Sequence, residues 1–121
     1  MRFDMPVRSL SSSVLKWPDK IRVAGAVADW AREQRHLHPE LVRLGYFGSY
    51  ARGDWGVGSD LDLIAIVTNS KASFEERSLG WNLEQLPVPA DMLVYTQEEW
   101  HRLQQVGERF AATIQREATW L

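Results

Sequence analysis

The sequence contains no cysteine. This absence excludes a disulfide framework, a zinc site built on thiolates and a cysteine nucleophile. It also fits a reducing compartment, and we expect the protein to lie in the cytoplasm. Any chemistry must therefore depend on carboxylates, hydroxyls, imidazoles and cationic side chains.

Long apolar runs and an excess of positive charge are also missing. No segment approaches the roughly 20 apolar residues that span a bilayer. The N-terminal stretch lacks the apolar core of a signal peptide, so we expect neither a signal peptide nor a membrane partner. The formal net charge is −2, whereas proteins that bind duplexes are usually basic. Long nucleic acid is therefore not the expected partner.

The chain has 121 residues, of which 45% are hydrophobic and 25% charged, and both shares are ordinary for a globular protein. This length predicts one domain over residues 1–121, with residues 1–13 as a loosely ordered lead-in. The hydrophobic pattern predicts a mixture of helices and strands. Predicted strands cover residues 41–47, 61–68 and 91–95, with an edge strand at 118–121. Predicted helices cover residues 18–35, 50–54, 74–86, 96–106 and 108–116. The helix over residues 74–86 would have Leu79 on its inner side, and Thr96 with Glu99 is the pattern of a capping box that begins the next helix.

Two aspartates stand at the entry of the second predicted strand. Asp60 and Asp62 are two positions apart, so they point to the same side of the strand, roughly 6 to 7 Å apart. The residues that follow are apolar without alternation, which indicates a strand covered on both faces. Paired carboxylates beside an apolar core repel each other unless a cation lies between them. Oxygen ligands favour Mg²⁺ or Mn²⁺, and two such metals about 3.5 to 4 Å apart are used for attack at phosphorus.

A third carboxylate begins the next predicted strand. If this strand lies beside the second, Asp91 can reach the aspartate pair. Asp91 would then complete a metal site and help to remove the proton from an attacking hydroxyl. The alternative is that Asp91 is a solvated residue that follows the turn at Pro89.

The segment upstream of the aspartate pair has the residues of a phosphate-binding turn. Gly48 allows close approach of the backbone to a ligand. The Ser49 hydroxyl and the amides of the following turn can donate hydrogen bonds to phosphate oxygens. Arg52 is the nearest cation and could hold the outer phosphates. Two roles stay open for Arg52, because it could instead pair with Asp54 or with a glutamate.

The segment GSYARGDWGVGSDLDL resembles the motif of the polymerase-beta-like nucleotidyltransferase superfamily. In that motif Gly-Ser is followed by ten residues and then by Asp-x-Asp, and Gly48-Ser49 and Asp60-Leu61-Asp62 have this spacing. The GSYARG form is similar to that of the minimal nucleotidyltransferases, in particular their MntA-like antitoxin branch. The resemblance implies an α/β (α+β) nucleotidyltransferase fold, a mixed β-sheet with helices packed mainly on one face.

The resemblance also implies a reaction and a partner. It implies Mg²⁺, an NTP that is usually ATP, and transfer of AMP to a tyrosine of a small helical toxin of the HEPN class. Two other functions stay open. The protein could be a non-catalytic subunit that binds a nucleotide or neutralises a partner. It could also modify a small molecule such as an antibiotic, with a homo-oligomer building the acceptor site.

Overall fold

The structure is a computed structural model that describes residues 18–107 and 109–121. The expectation for residues 1–13 lies outside this part of the chain. The helices are α1 (Lys20–Leu37), α2 (Ser49–Arg52), α3 (Gln97–Gln105) and α4 (Arg109–Glu117), with 3₁₀ helices at Phe74–Gly80 and Leu83–Gln85. The strands are β1 (Leu41–Phe47), β2 (Leu61–Val67), β3 (Ala90–Thr96) and β4 (Thr119–Trp120). The described helices include none with the length and apolar character needed to cross a bilayer.

The four strands form one mixed sheet in the order β3-β2-β1-β4. Strand β2 is antiparallel to β1 and parallel to β3, and β4 returns antiparallel to β1. Every residue of β2 except Asp62 is buried, as its unbroken apolar run predicts. The mixed α/β class and the short returning edge strand are confirmed.

Helices cover both faces of this sheet. On one face, α1 packs Val27 and Trp30 against the side chains of β2 that include Leu63. On the other face, Ile64 packs against α3 and α4, which contribute residues such as Ile114. The expectation that helices pack mainly on one face is therefore wrong in this detail. The reason is that α3 and α4 each bury apolar side chains against the second face.

The segment predicted as one helix over residues 74–86 consists of two short 3₁₀ helices instead. Leu79, expected on its inner side, is 82% exposed, whereas Trp81 is buried. Contacts with distant parts of the chain hold the segment. The Trp30 indole donates to the carbonyl of Asn82 at 3.1 Å, and the Arg77 guanidinium donates to the carbonyl of Val94 at 3.1 Å. These tertiary contacts outweigh the local helical pattern.

Helix α3 begins with the predicted capping box. Thr96 accepts a hydrogen bond from the amide of Glu99, and the Glu99 carboxylate accepts one from the amide of Thr96. The same carboxylate binds the Arg77 guanidinium at 2.6 and 3.1 Å. These contacts lower the pKa of Glu99 to about 2, with the Arg77 hydrogen bond as the largest cause. The end of β3 is therefore tied to both the 3₁₀ segment and α3.

Candidate active site

Gly48 brings the backbone against the carboxylate of Asp62. It directly follows β1 and has φ +74° and ψ −150°, a conformation that only glycine adopts without strain. A Cβ at this position would lie 2.5 Å from Oδ2 of Asp62. The backbone angles therefore require glycine here, and a larger residue would also force the Asp62 carboxylate to move.

A single helical turn follows at once. In α2 the amides of Ala51 and Arg52 donate to the carbonyl of Gly48, at 3.1 and 3.0 Å. Gly53, in the left-handed conformation, ends the turn. Ser49 is its first residue, and the first amides of a helix have no acceptor within the helix. One turn carries only a small dipole, so the local donors matter more than the helix dipole.

The two aspartates predicted to meet across neighbouring strands do so. Asp62 is paired with Asp91 in the register of β2 and β3, and with Phe47 in the register of β1 and β2. Paired residues point to the same face of a sheet, and adjacent strands lie about 4.8 Å apart. Asp60 lies just before β2 and is exposed, like Asp91, whereas Asp62 is half-buried. Asp91 therefore lies beside Asp62 and is also exposed to solvent, and its role as a metal ligand stays a prediction.

The charges of the two neighbouring aspartates act on Asp62. Burial is the largest cause that raises the pKa of Asp62 above its ordinary value, followed by the negative charges of Asp91 and Asp60. The positive charge of Arg52 opposes this shift. Arg52 offsets only part of the negative charge of these aspartates. A metal cation bound between them would relieve the remaining repulsion.

The chemistry of this donor set fits a hard divalent cation, since all three groups supply carboxylate oxygens. Within residues 18–107 and 109–121, however, no three acidic or histidine side chains are grouped closely enough to form a ready-made cation site. Asp60 and Asp91 are exposed, and exposed side chains change rotamer at low cost. The residues that would hold the cation are therefore Asp60, Asp62 and Asp91, with side-chain rearrangement on binding.

Arg52 lies beside these aspartates but is already paired. Its Nε donates to Asp54 at 3.1 Å, and its Nη1 donates to Glu117 of α4 at 3.3 Å. The hydrogen bond to Asp54 is the largest cause that raises the pKa of Arg52. The pairing that the sequence left open is present, and a phosphate would have to compete with two carboxylates. Sequence reasoning missed Glu117, because no local motif connects the end of α4 with Arg52.

Comparison with known families completes this picture. The family model described as a nucleotidyltransferase domain matches residues 30–114, which is most of the chain. The chain belongs to this nucleotidyltransferase family. The matched region contains all six site residues predicted from the sequence: Gly48, Ser49, Arg52, Asp60, Asp62 and Asp91.

The fold of this nucleotidyltransferase is also found in a solved structure. The chain is similar to a Sulfolobus solfataricus protein described as a putative nucleotidyltransferase, with a TM-score of 0.59 and 20% sequence identity. The similarity covers 84% of this chain and 80% of that one. At this level of identity the match supports the fold alone. A comparison with curated proteins gives no match.

Proposed function

We propose that this nucleotidyltransferase uses Mg²⁺, or Mn²⁺, to transfer a nucleoside monophosphate, AMP from ATP, to a hydroxyl group. The observation that supports this most directly is the row of Gly48, Asp62 and Asp91. The backbone of Gly48 lies close to one side of the half-buried Asp62 carboxylate, and Asp91 lies on the other side. The pKa of Asp62 is raised in part by the negative charges of Asp91 and Asp60, and a bound cation would offset this repulsion.

Each residue has a role in this proposal. Asp60 and Asp62 hold both metals, and Asp91 completes one of the two sites. When bound, the metals neutralise charge on the phosphates and on the attacking and leaving oxygens. Gly48 and Ser49 hold the triphosphate. Arg52 contacts the outer phosphates after it leaves Glu117 or Asp54.

The reaction is a displacement at the α-phosphorus. The acceptor oxygen forms a bond to this phosphorus while the bond to the bridging oxygen breaks, and pyrophosphate leaves. The proton of the acceptor hydroxyl passes to Asp91 or to solvent. Because the aspartates lie at the exposed end of β2 and β3, an acceptor can approach them from solution.

The proposed acceptor is a tyrosine of a small helical partner protein of the HEPN class, which would make this protein a cytoplasmic antitoxin. Support for this acceptor comes from the resemblance of the GSYARG segment to the antitoxin branch. A small-molecule acceptor such as an antibiotic is the alternative substrate. The family match applies equally to both.

The test is transfer of label from ATP that carries a labelled α-phosphate. The protein is incubated with Mg²⁺ and with the protein encoded by the adjacent gene or with a panel of hydroxylated antibiotics. Label on the partner that disappears in Asp60→Ala supports the proposal. Asp29→Asn is the matched control, since Asp29 is an exposed aspartate that pairs with Arg32 on α1. If no acceptor receives label from the wild-type protein, the proposed nucleotidyl transfer is contradicted.

A non-catalytic binding subunit is the second candidate. The observation in its favour is that the described carboxylates do not form a ready-made cation site. This function predicts tight binding of the partner without label, unchanged in Asp60→Ala. The label-transfer experiment therefore separates the two functions.

A further inference from the structure

A cavity of about 230 Å³ lies on the face of the sheet opposite Asp62. Residues that follow each other along a strand point to opposite faces. Tyr46 and Leu61 line the cavity, and their chain neighbours Phe47 and Asp62 are cross-strand partners that point the other way. The cavity therefore lies behind the candidate active site, and we call it the rear cavity.

The walls of the rear cavity are mostly apolar. Helix α1 contributes Val23 and Val27, which are 4% and 1% exposed. Tyr50 and Trp55 also line it, and their rings are stacked with centroids 4.6 Å apart. Water finds few hydrogen-bond partners in such surroundings, and an apolar cavity of about 150 Å³ engineered into another protein binds benzene. The rear cavity therefore has room for a molecule of one or two aromatic rings.

The mouth of the rear cavity carries a positive charge. Lys20, Ala24 and Gly53 line the cavity and are exposed, so it opens to solvent between the start of α1 and the end of α2. Lys20 is the only one of the described lining residues with a charged side chain. Its ammonium group donates to the carbonyl of Gly53 at 3.4 Å, and two further N–H donors remain. An anionic group at the mouth would meet this cation and none of the described carboxylates.

The rear cavity shares its walls with segments of the candidate active site. Tyr50 directly follows Ser49, and Leu61 lies between the two aspartates of the Asp-x-Asp motif. The Tyr50 hydroxyl donates to the carbonyl of Ser59 at 3.3 Å, directly before the first of these aspartates. Gly53, at the mouth, ends α2. A molecule in the cavity therefore contacts the same segments that carry the proposed phosphate and metal ligands.

We propose that the rear cavity is a regulatory site for a small aromatic carboxylate, a molecule of one or two rings whose negative group lies near Lys20. The rings pack against Val27 and Trp55. Because the site is on the other side of the sheet, this molecule and the nucleotide bind at the same time. Its binding does not depend on the proposed function, whereas its effect on ATP does.

The hydrogen bond between Lys20 and Gly53 connects the two sites. An anionic group that attracts the Lys20 ammonium weakens this bond to the end of α2. Ser49 and Arg52 are the first and last residues of α2, so the position of both changes with it. The aromatic carboxylate therefore alters the affinity for ATP, and ATP alters the affinity for the aromatic carboxylate by the same factor.

Calorimetry with the full chain tests this with indole-3-carboxylate and with indole-3-carboxamide, which has the same rings without the charge. Both should bind, and the carboxylate should bind about two- to fivefold more tightly, because an exposed ion pair is worth little. Saturating indole-3-carboxylate should change the dissociation constant of ATP with Mg²⁺ about fivefold. Saturating ATP should change that of indole-3-carboxylate by the same factor.

Three variants test the walls and the mouth. Trp55→Ala should weaken binding of both indoles about fivefold or more, because packing against the ring is lost, and Trp55→Phe should restore most of it. Ala24→Leu should abolish binding of both, since leucine suits a helix and its side chain occupies the mouth. Lys20→Gln should remove the preference for the carboxylate. Arg22→Gln is the matched control, since Arg22 is an exposed cation in the first turn of α1 that does not line the cavity.

Circular dichroism confirms that each variant is folded. A wild-type protein that binds neither indole would overturn the inference, and so would unchanged binding in both Trp55→Ala and Ala24→Leu. Complete exclusion of the indoles by saturating ATP would overturn it too, because the cavity would then belong to the nucleotide site. An ATP affinity that indole-3-carboxylate leaves unchanged would contradict the regulatory role. Wild-type protein that binds the indoles but not ATP contradicts the proposed function and leaves the second binding site in place.

Discussion

Asp62 and Asp91 are direct neighbours in the register of the parallel strands β2 and β3. The burial of Asp62 and the charge of Asp91 both raise the pKa of Asp62. For an acid, a pKa raised on folding means that the ionised form opposes folding at neutral pH. The protein therefore keeps a carboxylate pair that reduces its own stability, which is typical of functional sites.

Asp62→Asn should separate stability from activity. Without added metal at pH 7, the melting temperature should equal or exceed that of the wild type, because the unfavourable charge is gone. Nucleotidyl transfer should fall about 100-fold or more, since loss of outer-shell groups alone costs 10- to 100-fold. Calorimetry and label transfer check the two effects, and a clear fall in melting temperature would contradict the electrostatic account. Asp29→Asn is the control for loss of an aspartate elsewhere.

Gly48→Ala should destabilise the protein by more than Gly58→Ala. Both glycines have positive φ, of +74° and +88°, but a Cβ at position 58 meets no atom within 4 Å. Each variant should lose about 1 to 2 kcal/mol through backbone strain. Gly48→Ala should lose more through contact with the Asp62 carboxylate. Urea denaturation measures the difference, and equal losses would show that the contact with Asp62 is unimportant.

Glu117 should compete with the triphosphate for Arg52. It is 24% exposed at the side chain and accepts from Arg52 Nη1. Arg52→Ala should raise KM for ATP about tenfold, because a charge-assisted hydrogen bond is lost. Glu117→Gln should lower KM up to about fivefold, since a surface ion pair is worth little and its loss frees the guanidinium. Steady-state kinetics decide this.

The matched control for this comparison is Glu98→Gln. Glu98 is an exposed carboxylate that pairs with Arg102 along α3, so its loss should leave KM unchanged. If Glu117→Gln raises KM as strongly as Arg52→Ala does, Glu117 orients Arg52 rather than competing for it.

Glu99 should make stability depend on pH in the acidic range. Its pKa falls on folding from an ordinary 4.5 to about 2. The stabilisation is therefore fully present above about pH 4.5 and is lost as the pH falls towards 2. Glu99→Gln keeps an oxygen acceptor for the amide of Thr96 but loses the charge that pairs with Arg77. Between pH 4.5 and 2 its melting temperature should fall less steeply than that of the wild type.

The strands and most helices follow from local patterns. The apolar runs predicted β1, β2 and β3 to within one residue at each end, and Thr96 with Glu99 predicted the start of α3. The prediction of one helix over residues 74–86 was wrong, because hydrogen bonds from Trp30 and Arg77 hold that segment as two short 3₁₀ helices. The hydrophobic periodicity of a segment does not reveal its contacts with residues far away in the sequence.

For the candidate site too, local sequence features predicted some residues and could not predict others. The spacing of Gly48-Ser49 and Asp60-x-Asp62 is local and could be read directly, and the neighbourhood of Asp91 followed from strand adjacency. Glu117 could not be predicted, since it comes from α4 and reaches Arg52 only through tertiary packing. The phosphate role of Arg52 stays a prediction.

Titration of Mn²⁺ in the presence of a non-hydrolysable ATP analogue, followed by electron paramagnetic resonance, tests the central claim most directly. The account predicts that the wild type binds Mn²⁺ together with the analogue, that Asp62→Asn and Asp91→Asn lose this binding, and that Asp29→Asn keeps it. Binding that is equally strong in the wild type, Asp62→Asn and Asp91→Asn would contradict the claim that these carboxylates form the nucleotide and metal site.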